Sequence, residues 1–163
     1  MKDPFFEKTV VLIWRHDENG AAGVVVNRLL EPKHTLPSVL SFPEEHGQVD
    51  MRAYDGVPVG WGGPVETDSG LVLTRAEVAE EEGLQLPSGI GITRSLDALI
   101  RLIRSEQTIH LVLGYAGWGP QQLADEIQQG GWLSTECDPK IIFDTPVDER
   151  YDVALQTLGL SAA

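Results

Sequence analysis

A single cysteine, Cys137, stands in a chain of 163 residues. One thiol excludes an internal disulfide, a paired-cysteine zinc site and a CxxC redox couple, and it fits a reducing, cytoplasmic setting. Basic residues are scarce as well: 12 Lys and Arg against 25 Asp and Glu leave a net charge of −13. Such a field repels phosphate backbones, so direct nucleic-acid binding is disfavoured, while solubility is favoured and basic partners or divalent cations are permitted. No apolar run approaches the ~20 residues of a membrane-spanning helix, and no membrane association is expected. The opening MKDPFFEKTVVLIWRHDENG carries Asp3 and Glu7 and has no small-residue cleavage pattern, so it does not read as a secretory signal. His16, His34, His46 and His110 are scattered, without HExxH or His-x-His spacing, and no serine lies in a GxSxG elbow. These patterns imply no metal centre, no cofactor and no acyl-transfer nucleophile.

What is present is an ordinary globular composition, 42% hydrophobic and 23% charged, with no linker, repeat or low-complexity block. Residues 1–163 therefore read as one domain. Thr9 to His16 is apolar and β-branched, and Asn19-Gly20 offers the positive φ angles of a tight reversal into a second strand, Val24 to Asn27. TLPSVLSFPEE predicts a short helix entered at Pro37 and stopped at Pro43. Two strands are expected around the Gly62-Gly63-Pro64 corner, and another at GIGIT, residues 89–93. SLDALIRLIRSE predicts a helix capped by Ser95, with Leu96, Leu99, Ile100 and Ile103 inward. TIHLVLG reads as a buried strand, QQLADEIQQG as a helix stopped at Gly130, KIIFD as a strand, and DERYDVALQTLG as a last helix. In that helix Asp148 is the expected cap, and Tyr151, Ala154, Leu155 and Leu158 are expected inward. The order implies an α+β fold.

LGYAGWGPQQLADEI, residues 113–127, is punctuated more densely than a simple turn requires. Glycines between a strand and a helix can cradle phosphate at the positive end of the helix dipole. Here the spacing is GxxGxG, the reverse of the dinucleotide fingerprint, and no GK[ST] follows. Pro120 removes an N–H, and Asp125 and Glu126 add negative charge, so the stretch reads as a demanding corner. In that reading Gly119 and Pro120 set the start of the helix, and Tyr115 and Trp118 cover the junction.

GYAGWGPQQLADEIQQGGWL, followed by IIF and VALQTLG, resembles the C-terminal half of the AlgH/YqgE family of bacterial proteins. FFEKTVVLI, NGAAGVVVNR, GGPVETDSGLVL and GIGITRSLDAL extend the resemblance over nearly the whole chain. Tyr151 stands where many relatives are expected to carry tryptophan. The resemblance implies one compact α+β domain with a curled, largely antiparallel mixed sheet and packed helices. It implies no reaction, and it carries an association with transcriptional regulation.

Chemical candidates are few. Asp138 beside Cys137 raises a thiol pKa, which favours an inert cysteine although Lys140 is near. His16 with Asp17 and Glu18 reads as a solvated turn rather than a cation site, and the Glu77, Glu80, Glu81 and Glu82 cluster as a hydrated face. Arg94, Arg101 and Arg104 form the one basic stripe, and Arg101 and Arg104 complement a helix C-terminus. A non-enzymatic regulatory or adaptor role is therefore favoured, with another protein as partner and the chain a monomer or small homo-oligomer. Its expected surface comprises Trp61, Gly62, Gly63 and Pro64 with Tyr115, Gly117 and Trp118. The alternative is an enzyme or small-ligand binder in which Asn27, Arg28 and Glu66 converge between those corners.

Overall fold

The protein's structure, a computed structural model, describes residues 7–160. Seven strands form one sheet: β1 Val11–Asp17, β2 Gly20–Val25, β3 Gly60–Trp61, β4 Val65–Thr74, β5 Gly83–Gln85, β6 Gly91–Thr93 and β7 Ile109–Trp118. Five α-helices accompany them: α1 Leu36–Val39, α2 Leu96–Arg104, α3 Gln122–Gln128, α4 Pro139–Phe143 and α5 Arg150–Gln156. The strand order is β1-β2-β7-β4-β6-β5, antiparallel throughout, and β3 joins β7 as a parallel neighbour. This is the α+β fold with a curled, largely antiparallel sheet.

The long strand β7 holds the sheet together because both of its edges are occupied. One edge pairs with β4 from Ile109 to Tyr115. The other is shared, with β3 opposite Val112 and Leu113 and β2 opposite Ala116 to Trp118. GYAGW is thus the far half of the central strand, and the expected corner is corrected. The glycines serve the strand itself. Gly114 has φ 81, which reverses the in-out alternation: Ile109, Leu111 and Leu113 pack with α2, whereas Tyr115 packs on the opposite face with Val112.

Side-chain parity separates the two faces of the sheet. Leu12, Val24, Val26, Leu71, Leu73, Ile92 and Val112 cluster with Ile142 of α4 on one face. Val72, Ile109 and Leu111 meet Leu99, Leu102 and Ile103 of α2 on the other. On that same face, farther along β7, Ala116 and Trp118 meet Ala21, Leu123 of α3, and Trp132. Each fully buried aliphatic chain, such as Leu73 or Ile103, contributes about 1.5–3 kcal/mol of transfer free energy.

Several local expectations need correction. KIIFD lies in α4 rather than a strand, because Asp138 caps Lys140 N–H at 3.0 Å and Pro139 preorganises the first turn. The first hairpin turns at Glu18-Asn19, with Asn19 N–H bonded to Asp17 Oδ1 at 2.8 Å, and the positive φ of 130° falls on Gly20 within β2. Leu96 is exposed, and Leu102 takes the inward place in α2. α3 starts after Gln121, which has φ 65, rather than at Gly119-Pro120. Asp148 lies in a 3-10 turn, Val147–Glu149, ahead of α5, whose buried residue is Arg150. Tyr151, Ala154 and Leu155 are half-buried and Leu158 is exposed. The short helix at Pro37, the Ser95 cap and the positive φ at Gly130 match expectation.

Candidate binding groove

The residues marked out by sequence divide between two places. At one, Arg28 stacks over the Trp61 ring at 5.9 Å. Gly62, Gly63 and Pro64 carry the chain from β3 into β4, and Val65 pairs with Tyr115. Arg94 lies over the Tyr115 ring at 5.7 Å and reaches Glu66 at 3.4 Å. Trp14 packs beside Tyr115, with ring centroids 6.2 Å apart. Asn27 and Arg28 are committed to the chain entering β1. Asn27 accepts from Val10 N–H at 2.7 Å and donates to the Lys8 carbonyl at 2.9 Å, while Arg28 donates to the Glu7 carbonyl at 2.6 Å. Their polar atoms hold the edge strand in place.

Trp118 belongs to the second place. It is buried and meets Trp132 edge-to-face at 5.9 Å, while Trp132 Nε1 donates to Glu126 at 3.1 Å. Both indoles line a cavity of about 600 Å³ at the β1 edge of the sheet, bounded by α3, the connector 129–138, α4 and α5. None of Asn27, Arg28, Trp61 or Glu66 lines it. The walls are largely aliphatic and aromatic, including Ile13, Ile127, Leu133, Ile141 and Leu155. Sequence reasoning missed Trp132 and Leu133. The available signal was GGWL, a large apolar pair placed directly after a helix stop, where no element of their own can bury them.

Cys137, His110 and Arg150, buried or partly buried, have shifted pKa values. Cys137 is on the rim, and partial burial raises its thiol pKa, with the Asp138 charge adding to the effect. His110, buried in β7, is pushed down to about 3 by burial and by the nearby Arg150 charge. Arg150, 7% exposed, donates to the Val26 carbonyl at 2.6 Å and to the Thr145 carbonyl at 2.9 Å. Burial lowers its pKa to about 10, so it stays charged at neutral pH. Among the described residues no three His, Cys, Asp or Glu side chains form a metal-binding group, and no helix is long and apolar enough to cross a membrane.

The architecture is a curled, largely antiparallel α+β sheet with an apolar groove at the β1 edge whose wall includes two indoles. The profile of the family described as AlgH-like matches residues 1–163, and the chain belongs to that family. A UPF0301 protein of Paraburkholderia phymatum is 39% identical over 170 residues, covering 100% of this chain and 85% of the relative. One from Vibrio atlanticus is 36% identical over 168 residues, covering 100% and 88%. The solution structure of the AlgH protein from Pseudomonas aeruginosa superposes with a TM-score of 0.78 at 33% identity, covering 99% of this chain and 84% of that one. A crystal structure of protein DIP2367 from Corynebacterium diphtheriae, 19% identical, shares the fold with a TM-score of 0.71 over 96% of this chain and 80% of that one.

Proposed function

We propose that this AlgH-like protein is a non-enzymatic cytoplasmic regulator or adaptor that works by binding another protein, and that the groove beside Trp118 and Trp132 is its recognition site. The observation that carries this reading is the groove itself: an apolar cavity of about 600 Å³ open at the sheet edge, with paired indoles in its wall. Aromatic anchors in desolvated pockets dominate protein recognition. The net charge of −13 disfavours nucleic acid as the direct partner and favours a protein with basic character.

A photo-reactive amino acid at Leu133, 63% exposed on the groove rim, tests the reading in the native host. A control carries it at Leu84, on β5 at the opposite end of the sheet. A discrete protein adduct from position 133 that is absent from position 84 and lost on Trp132→Ala is expected. Equal labelling at both positions sinks the reading. The second reading is a small apolar ligand, favoured by a cavity volume within the ~300–1,000 Å³ range of ligand sites. A tightly retained small molecule in protein purified from the host, displaced by Trp132→Ala, would favour it instead.

A further inference from the structure

The cavity encloses a strand edge, not merely a sheet face. Lys8 through Ile13 line it consecutively, although alternate residues of a strand point to opposite faces. The packing agrees: Val10 and Leu12 lie with Ile142 of α4 on one face, and Val11 and Ile13 with Ile127 and Trp132 on the other. α3 and α4 therefore flank opposite faces of β1, and the connector 129–138 passes around its edge between them.

That edge has an identifiable hydrogen-bonding register. Val10 directs its N–H to Asn27 Oδ1 and accepts Val26 N–H at 2.9 Å, so its polar groups face β2. By the two-residue repeat, the N–H and C=O groups of Val11 and Ile13 face outward, where no described strand pairs with β1. Natural sheets protect such edges with charges, prolines or bulges. β1 does so only in its second half, through a register shift between Ile13 and Arg15 followed by Arg15, His16 and Asp17. Val11-Leu12-Ile13 carries no charge, proline or bulge; it lines the cavity together with His16, and its cover is the connector 129–138.

Resting on the protein-binding reading above, we propose that the partner enters as an extended segment that adds a strand to the outer edge of β1. Its side chains alternate between the Trp132 wall and the Ile141 wall, and its flanks are basic. Added strands take affinity from main-chain hydrogen bonds and specificity from pockets for alternate side chains. Charge complementarity sets the flanks: Asp17, paired with Arg15, ends β1 and Glu18 follows it in the turn, while Glu136 and Asp138 line the cavity against a single lysine, Lys8, within a chain of net charge −13.

The test selects binders for the full chain from a displayed library of random peptides. The expected binders alternate apolar residues with period two between Lys or Arg flanks, and they slow hydrogen exchange at the Val11 and Ile13 amides. Val11→Pro removes one outward N–H at an edge position that tolerates proline, and it should weaken the selected peptide at least tenfold. Leu133→Asp should do likewise without touching the strand. If Val11→Pro fails to fold, exchange protection at Val11 and Ile13 in the wild type decides. Binders with helical i, i+3, i+4 spacing, no binders, or binding without that protection would overturn strand addition. A protein adduct at position 133 would still stand in each of those cases, so the two readings fail separately.

Discussion

Gly63 and Gly114 cross with their backbones in contact: a Cβ on Gly114 would sit 2.2 Å from the Gly63 carbonyl oxygen, and one on Gly63 would sit 2.2 Å from the Tyr115 carbonyl oxygen. The crossing is fixed by Gly62 N–H donating to the Leu113 carbonyl at 2.7 Å and by Val25 N–H donating to the Gly62 carbonyl at 2.8 Å. The two glycine-rich stretches are therefore two halves of one joint. Gly114→Ala is expected to be strongly destabilising, because the φ of 81° alone costs about 1–2 kcal/mol for a residue with a Cβ and the clash adds to it. Gly117→Ala, whose nearest neighbour is the Tyr115 ring at 3.8 Å, is the control. Denaturant titration of both variants checks the difference.

Arg150 ties α5 to the sheet across 124 positions of sequence through the Val26 carbonyl. Hydrogen bonds to charged groups are worth roughly 1.5–3 kcal/mol, and stranding a buried acceptor has its own cost. Arg150→Met should therefore lose about 2–4 kcal/mol in equilibrium unfolding. Arg150→Lys keeps the charge but not the two-carbonyl reach of the guanidinium, and it should recover only part of that loss.

His110 makes the fold acid-sensitive in a defined window. Its ordinary pKa of 6.5 falls to about 3 in the folded chain. Below pH 6.5 the unfolded chain takes up a proton that the folded chain refuses. Stability is thus full above 6.5 and is lost as pH falls toward 3, with a slope of at most about 1.4 kcal/mol per pH unit. Asp50 and Asp144, whose carboxyls are held low by Arg52 and Arg75, act only below 3.8. Chemical denaturation between pH 4 and 6.5 should show the slope in the wild type and a flatter one in His110→Phe.

The fold class was legible because the strongest signals were local: the β-branched run at β1, the Ser95 cap with the apolar period of α2, and the terminating Gly130. What misled was punctuation read as a corner. Gly114 serves a strand here because the Gly62-Gly63 segment must approach it closely, a tertiary demand invisible within residues 113–119. The groove was not legible either, since its walls draw on residues 8–16, Val26, 118–138 and 141–158. Only the fold joins them. Leu96 failed as an inward residue because the apolar face of α2 is set by its sheet contacts at Leu99, Leu102 and Ile103.

Asp138 carries the one helix-start signal that an apolar pattern overrode, and it links the groove to the lone thiol. Its carboxylate caps α4 at Lys140 N–H, and its charge opposes ionisation of the adjacent Cys137. Asp138→Ala should cost about 1 kcal/mol of stability through the lost cap. It should also lower the thiol pKa, because a like charge is removed while burial, the larger cause, remains. Alkylation of Cys137 followed against pH should therefore shift to lower pH in the folded variant, yet still lie above that of an unstructured cysteine. Asp138→Asn separates the two roles: the amide oxygen keeps the cap and the charge is gone, so the alkylation profile moves while the stability is nearly retained.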